Sequence, residues 1–201
     1  MMLIEETAVP QAALPLAEFK THLRLGTGFA DDDIQDPVLE SFLRAAMAAI
    51  EARTGKILIA RSFSWTLTIW RDPTGQALPV APVNEITSLT LRNRADEEEV
   101  VASDHYLLEK DMQRPVLRPA GSMLPMVPPG GTAEVQFEAG MSARWGELPA
   151  DLGQAVLLLA AHYYEYRHET AHGDGSMPFG VSSLIERYRT VRLFGGTGGR
   201  G

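Results

Sequence analysis

Five side chains able to ligate a metal ion or to move a proton lie within one short stretch of the chain. They are histidines and glutamates in which the spacing Glu-x-x-His occurs twice: His162, Glu165, His168, Glu169 and His172. On a helix this spacing places a carboxylate and an imidazole on the same face, as in carboxylate-bridged metal sites of helix bundles. One interpretation is therefore a metal-dependent enzyme with a site carried by a helix.

A carboxylate-bridged site also needs carboxylates from a facing helix. Glu40 and Glu51 fall in a second predicted helix and are available, but the Glu-x-x-His spacing does not recur there. The alternative is a solvated helix end that is stabilised by charge pairs three and four residues apart. The sequence favours this alternative, because only one half of the ligand pattern is present.

Three consecutive aspartates at residues 31–33 form a second possible cation site. A calcium-binding loop alternates its ligands with turn residues, and this run does not. Acidic residues are also favoured near the start of a helix, where the helix dipole attracts negative charge. We therefore interpret the run as a loop that precedes a helix, without a bound metal.

No other catalytic motif is found. Residues 173–176 lack the strand and the sharp turn that a serine nucleophile requires, and neither common phosphate-binding glycine loop occurs. The chain has no cysteine, which excludes disulfides, thiolate zinc sites and cysteine nucleophiles. Trp65, Trp70 and Trp145 are expected in a core or an interface rather than stacked on bases. We predict that the protein is not an enzyme and uses no cofactor.

The stretch with the histidines belongs to a predicted helix at residues 149–171. Its apolar residues recur at helical spacing and cover most of its circumference: Leu152, Ala155, Val156, Leu157, Leu158, Leu159, Ala160, Ala161, Tyr163 and Tyr164. This apolar run is about half of the ~20 residues that a bilayer span needs. We therefore expect the central buried helix of a packed core.

The rest of the chain predicts an α+β fold. Further helices are expected at 14–26, 34–54 and 181–188, and strands at 62–70, 86–91, 106–108, 116–118 and 132–138. Asp33 or Asp36 is expected to cap the helix at 34–54, and Ile69 to lie on the buried face of the first of these strands. About four helices around the central buried helix would then form a helical core, with an antiparallel β unit inserted between two helical segments and an extended tail at the C-terminus.

We divide the chain accordingly. Residues 1–56 and 149–189 would form a helical core, residues 57–148 an inserted antiparallel β domain, and residues 190–201 a flexible C-terminal docking tail rich in glycine. The first residues carry two glutamates and no basic cluster before an apolar run, so neither a secretion signal nor a membrane anchor is expected.

Charge is unevenly distributed along the chain. Residues 186–201 hold four arginines against one glutamate and carry +3, which leaves −11 for the rest of a chain whose net charge is −8. An acidic body argues against gripping nucleic acid, because phosphate binding depends on clustered lysine and arginine. The basic end suits an acidic protein surface, or, in an alternative interpretation, a small DNA-binding protein that uses this tail.

The order of these parts resembles the head-tail connector, or adaptor, proteins of tailed bacteriophages and of phage-like gene transfer agents. The likeness covers most of residues 14–190 and depends on order and spacing rather than on a chemical motif. The matching segments are 16–25 (LAEFKTHLRL), 50–58 (IEARTGKIL), 78–79, 82–83, 86–89 (ITSL), 137–140 (FEAG), Pro149 and 155–167 (AVLLLAAHYYEYR).

This resemblance implies a structural protein of the virion neck that is assembled in the bacterial cytoplasm. In that family a ring of typically twelve copies lies below the portal protein and leads to the stopper or tail-completion protein. DNA passes through its channel without specific binding, and no membrane is involved. The C-terminal segment of the family docks onto the portal; here that segment contains Arg187, Tyr188, Arg189, Val191, Arg192, Leu193 and Phe194.

Overall fold

A computed structural model of the chain describes residues 1–24, 35–167 and 177–189. In these residues there are four α-helices: α1 Leu16–His22, α2 Asp36–Thr54, α3 Ala150–Glu165 and α4 Phe179–Ile185. The strands are β1 Met2–Glu5, β2 Arg61–Leu67, β3 Gln76–Ala77, β4 Val83–Arg92, β5 Glu98–Val100, β6 Tyr106–Glu109, β7 Val116–Pro119 and β8 Thr132–Ala139. The α+β fold predicted from the sequence is confirmed.

Helix α3 is the centre of the helical part, since α1, α2 and α4 all contact it. Its buried residues are apolar and belong to the apolar run predicted from the sequence: Leu152, Ala155, Val156, Leu159, Ala160 and Ala161. The helix begins after Pro149 and ends at Glu165, earlier than the predicted end at residue 171. In the described part of the chain, no helix combines the length and apolar character needed to cross a membrane.

Helix α2 packs along α3, and its buried apolar residues include Leu39, Leu43 and Ile50. Gly55 ends this helix in the left-handed conformation at φ 69°. The prediction that Asp36 caps this helix is wrong. Gln35 occupies the cap position without a side-chain hydrogen bond, and Asp36 lies in the first turn. There its carboxylate forms an ion pair with Lys20 of α1. Asp33, the other predicted cap, lies outside the described residues.

The larger sheet is antiparallel throughout, in the order β1-β2-β8-β4-β5. Alternate residues face the core, so that Phe63 of β2 stacks on Phe137 of β8 with ring centroids 5.6 Å apart. A smaller sheet, in the order β3-β7-β6, packs nearby through Leu117, which is fully buried. The period-two pattern of the sequence thus identifies the central strands correctly.

The alternation in the sequence predicts that Ile69 lies on the buried face of β2, and this prediction is wrong. Strand β2 ends at Leu67, and Ile69 is 71% exposed. The chain turns after Leu67, so that Trp70 is directed inward instead and its Nε1 donates a hydrogen bond to the carbonyl oxygen of Pro125 at 2.7 Å. The alternation continues in the sequence beyond the last residue that pairs with β8.

The sequence does not predict β1, β3 or β5. All residues of β1 and β5 are exposed, so neither strand carries the alternation of buried and exposed side chains that marks a strand in a sequence. β5 also overlaps residues 96–99, a charged stretch whose composition is more typical of a turn than of a strand. Both strands are instead held by backbone pairing. β1 pairs with β2, which is distant in the sequence, and β5 pairs with β4 across a turn.

Gly140, directly after β8, allows two backbone segments to approach closely. It has φ +155°, and a Cβ atom there would lie 2.3 Å from the Cα atom of Ala60. We expect Gly140→Ala to lower the free energy of unfolding by about 2 to 3 kcal/mol, because backbone must move to admit the methyl group. Urea unfolding followed by circular dichroism measures the loss.

Gly146→Ala is the matched control, because a Cβ atom at Gly146 would meet nothing within 4 Å. Its effect should stay within about 0.5 kcal/mol. Equal effects of the two substitutions would show that the close approach at Gly140 does not constrain the fold.

Candidate docking site at the C-terminal end of the helical core

The predicted docking segment leaves the helical core at the end of α4. Val181 and Ile185 of this helix are buried against the core, and a 3-10 turn, Glu186–Tyr188, follows directly. The ring of Tyr188 packs partly buried against the same core. The base of the segment is therefore fixed by apolar contacts before the chain reaches Arg189.

Three polar side chains meet where the segment begins, and we name Asp151, Arg187 and Tyr188 the Asp151 clasp. Tyr188 donates its hydroxyl hydrogen bond to Oδ1 of Asp151 at 2.8 Å, and Nη2 of Arg187 lies 2.8 Å from Oδ2 of Asp151. Nη2 of Arg187 also donates to the Tyr188 hydroxyl oxygen. The three groups thus form a closed network between the first turn of α3 and the end of the described chain.

The electrostatics of the clasp keep its donors protonated. Burial raises the pKa of the Tyr188 hydroxyl, and the Asp151 carboxylate raises that pKa further, against the opposing effect of Arg187. The guanidinium carbon of Arg187 lies 4.7 Å from the centre of the Tyr188 ring, within range of a cation–π contact. Asp151 also accepts a hydrogen bond from the backbone nitrogen of Leu152 at 3.0 Å.

Three of the seven predicted docking residues lie in the described part of the chain. Arg187 and Tyr188 belong to the clasp, and Arg189 forms a local pair with Glu186, with Nη1 3.1 Å from Oε2. The other four, Val191, Arg192, Leu193 and Phe194, lie outside the described residues. Sequence reasoning missed Asp151 as part of this site, because an acidic residue in the first turn of a helix is already accounted for by the helix dipole.

The residues of the metal hypothesis are only partly brought together. His162 and Glu165, in the last turn of α3, line a groove with His22 of α1 and Val181 of α4. The His162 ring packs against Tyr166, with centroids 4.6 Å apart. The remaining candidates, His168, Glu169 and His172, lie outside the described residues, as do the aspartates at 31–33 and residues 173–176.

The carboxylates proposed to complete a metal site are engaged elsewhere. Glu40 accepts a hydrogen bond from Gln11. Glu51 forms an ion pair with Arg61, with Oε2 2.7 Å from Nη2, and its Oε1 accepts a hydrogen bond from the backbone nitrogen of Leu58 at 2.8 Å. Within residues 1–24, 35–167 and 177–189, no group of three or more metal-ligating side chains is placed to hold an ion.

The tryptophans lie where the sequence predicts. Trp65 and Trp70 are buried in the cluster of side chains between the two sheets, and Trp145 is partly buried against the helical core. Trp65 and Trp70 therefore present no exposed ring on which a base could stack.

Three solved structures are similar to this chain over nearly its whole length. In each case the aligned region covers 98% of this chain and 99% of the matched chain. They are the neck of an empty gene transfer agent particle computed with C6 symmetry (56% identity, TM-score 0.88), the virion of a native gene transfer agent particle (56%, 0.85) and the neck of a native particle computed with C12 symmetry (52%, 0.83). No protein-family model and no curated protein matches the chain. Since more than half of its residues are identical to those of the matched chains, this protein belongs to the family of neck proteins of gene transfer agent particles.

Proposed function

We propose that the chain is a non-enzymatic ring adaptor that joins the capsid portal to the stopper or tail-completion protein. The observation that carries this proposal is the 56% identity, over 98% of the chain, to a neck protein of a gene transfer agent particle.

The ring would contain twelve copies. Support comes from the matched necks, which were computed with C12 and C6 symmetry. Copies related by such a rotation meet through two different surfaces, because only a twofold axis lets the same patch contact itself. A head-to-tail contact between neighbouring copies is therefore part of the proposal.

The distribution of charge along the chain supports the proposed contact with the portal and the passage of DNA through the ring. The basic segment at residues 186–201 carries +3 and suits an acidic surface of the portal. The remainder of the chain carries −11, so that DNA would pass through the ring without being gripped. The proposed docking residues are the seven named from the sequence: Arg187, Tyr188, Arg189, Val191, Arg192, Leu193 and Phe194.

The division into a helical core, an inserted β domain and a tail is also a proposal. It is supported by two separate clusters of buried side chains, one centred on the helices and one between the sheets. The described strand β1 adds residues from before the helices to the sheet of the insertion. A helical core at residues 1–56 and 149–189 would therefore share its N-terminal residues with the β domain.

The test compares the full chain with a chain ending at Arg189, each mixed with purified cognate portal rings and studied by co-sedimentation and electron microscopy. We expect rings below the portal only with the full chain. Arg192→Glu should fold normally and bind the portal at least about tenfold more weakly, because it reverses a charge in the docking segment.

Arg144→Glu is the matched control, since Arg144 is 83% exposed on the body and gives the same change in net charge. Full-length chain that ignores the portal would contradict the docking role. Salt-dependent DNA binding that disappears with residues 190–201 would favour a DNA-binding protein instead.

A further inference from the structure

We propose that Asp151 is a positioning residue for portal docking: the Asp151 clasp fixes the point and direction in which the docking segment leaves the ring subunit. This inference rests on the proposed function. It assigns a role to a residue of α3 that lies 36 and 37 positions before its two partners in the chain.

The geometry of the contact differs from an ordinary surface ion pair. An exposed pair alone contributes little, and the Arg187 side chain is 69% exposed. The Asp151 side chain, however, is only 23% exposed, and it binds Tyr188 and Arg187 through separate oxygens. The Tyr188 ring is also packed on the helical core, so an apolar contact and a hydrogen bond to Asp151 hold the same residue.

The clasp divides the docking residues into two groups. Nη2 of Arg187 and the hydroxyl group of Tyr188 are engaged within the chain. These two residues therefore hold the segment, and direct contacts with the portal fall to Arg189 and the residues after it. A segment whose base is fixed loses less conformational freedom when it binds than one that starts from a loose end. Docking strength should therefore depend on Asp151 even though Asp151 does not touch the portal.

Two variants test the clasp in the full-length chain. Tyr188→Phe removes only the hydroxyl group and keeps the ring packing, and Asp151→Asn removes the charge that pairs with Arg187. Glu186→Gln is the control, because it breaks the neighbouring pair with Arg189 without reaching α3. All three should unfold at temperatures close to that of the unchanged chain, which separates positioning from general stability.

The first readout needs no portal: the rate of trypsin cleavage after Arg187, followed by mass spectrometry. We expect both clasp variants to be cleaved about fivefold faster and Glu186→Gln to be cleaved at the unchanged rate, as one lost hydrogen bond corresponds to roughly that factor. Equal cleavage rates in the clasp variants and the unchanged chain would overturn the clasp itself.

The second readout is the dissociation constant for purified portal rings. Both clasp variants should bind about fivefold more weakly, and the control should bind as well as the unchanged chain. Faster cleavage with unchanged portal binding would overturn the positioning role. Failure of the unchanged chain to bind the portal would instead contradict the proposed function, while the cleavage result would still decide whether the clasp forms.

Discussion

Leu159→Asp is expected to leave the chain unfolded at 25 °C. Leu159 is 1% exposed at the centre of α3, the helix that the other three helices contact. Removing a buried leucine side chain costs about 2 to 5 kcal/mol, and an unpaired buried carboxylate adds a penalty of several more. Together these losses approach the total stability of about 5 to 15 kcal/mol of a typical domain. Circular dichroism in the far ultraviolet and urea unfolding measure the result.

Gln154→Asp is the control for Leu159→Asp, because it places the same side chain on the same helix at an exposed position. It should fold, with a change in the free energy of unfolding within about 1 kcal/mol. A folded Leu159→Asp protein with near-normal stability would contradict the position of α3 at the centre of the core. If both variants unfolded, aspartate in α3 would be harmful in itself, and burial would not be the cause.

The helical core is predictable because its signal is local. The residues of α3 from Leu152 to Ala161 repeat at helical spacing, and Gly55 marks the end of α2 by its conformational freedom. The central strands are found for the same reason: buried residues alternate with less buried ones along β8, and along β2 except at Ser64, which is buried. In these elements the pattern along the chain directly reflects which side chains avoid water.

Features held by partners distant in the sequence have no such signal. β1 is exposed along its length and is a strand only because β2 pairs with it. Asp36 lies where the sequence predicts a helix cap, but its carboxylate forms an ion pair with Lys20. Asp151 accepts a hydrogen bond from the backbone of its own helix and a second one from Tyr188, which lies far along the chain. A charged side chain with a local explanation gives no hint of a second partner elsewhere in the chain.

Arg61 is the clearest case of such a hidden partner. It begins β2, is 8% exposed, and contacts Glu51 of α2 through two nitrogens, Nη1 to Oε1 at 3.0 Å and Nη2 to Oε2 at 2.7 Å. Its Nε lies 2.8 Å from Oε1 of Glu5 in β1. Burial by itself would lower the pKa of Arg61, but the hydrogen bonds to Glu51 and Glu5 raise it above its ordinary value. One guanidinium thus connects the sheet to the helical core.

Arg61→Met should lower the free energy of unfolding by about 3 to 5 kcal/mol, because it leaves the Glu51 carboxylate buried without its counter-charge. Adding Glu51→Gln should recover a large part of this loss, since the amide carries no charge and its oxygen can still accept the hydrogen bond from the backbone of Leu58. A double-mutant cycle by urea unfolding measures the coupling between the two side chains.

Arg92→Met distinguishes burial from the mere number of ion pairs. Arg92 also contacts two carboxylates, those of Asp96 and Glu98, but its side chain is 39% exposed, and water screens the pairs. Its loss should be much smaller than that of Arg61→Met. Equal losses at Arg61 and Arg92, or no recovery when Glu51→Gln is added, would mean that the buried charge of Glu51 is not the cause, and that the arginine side chain acts through packing alone.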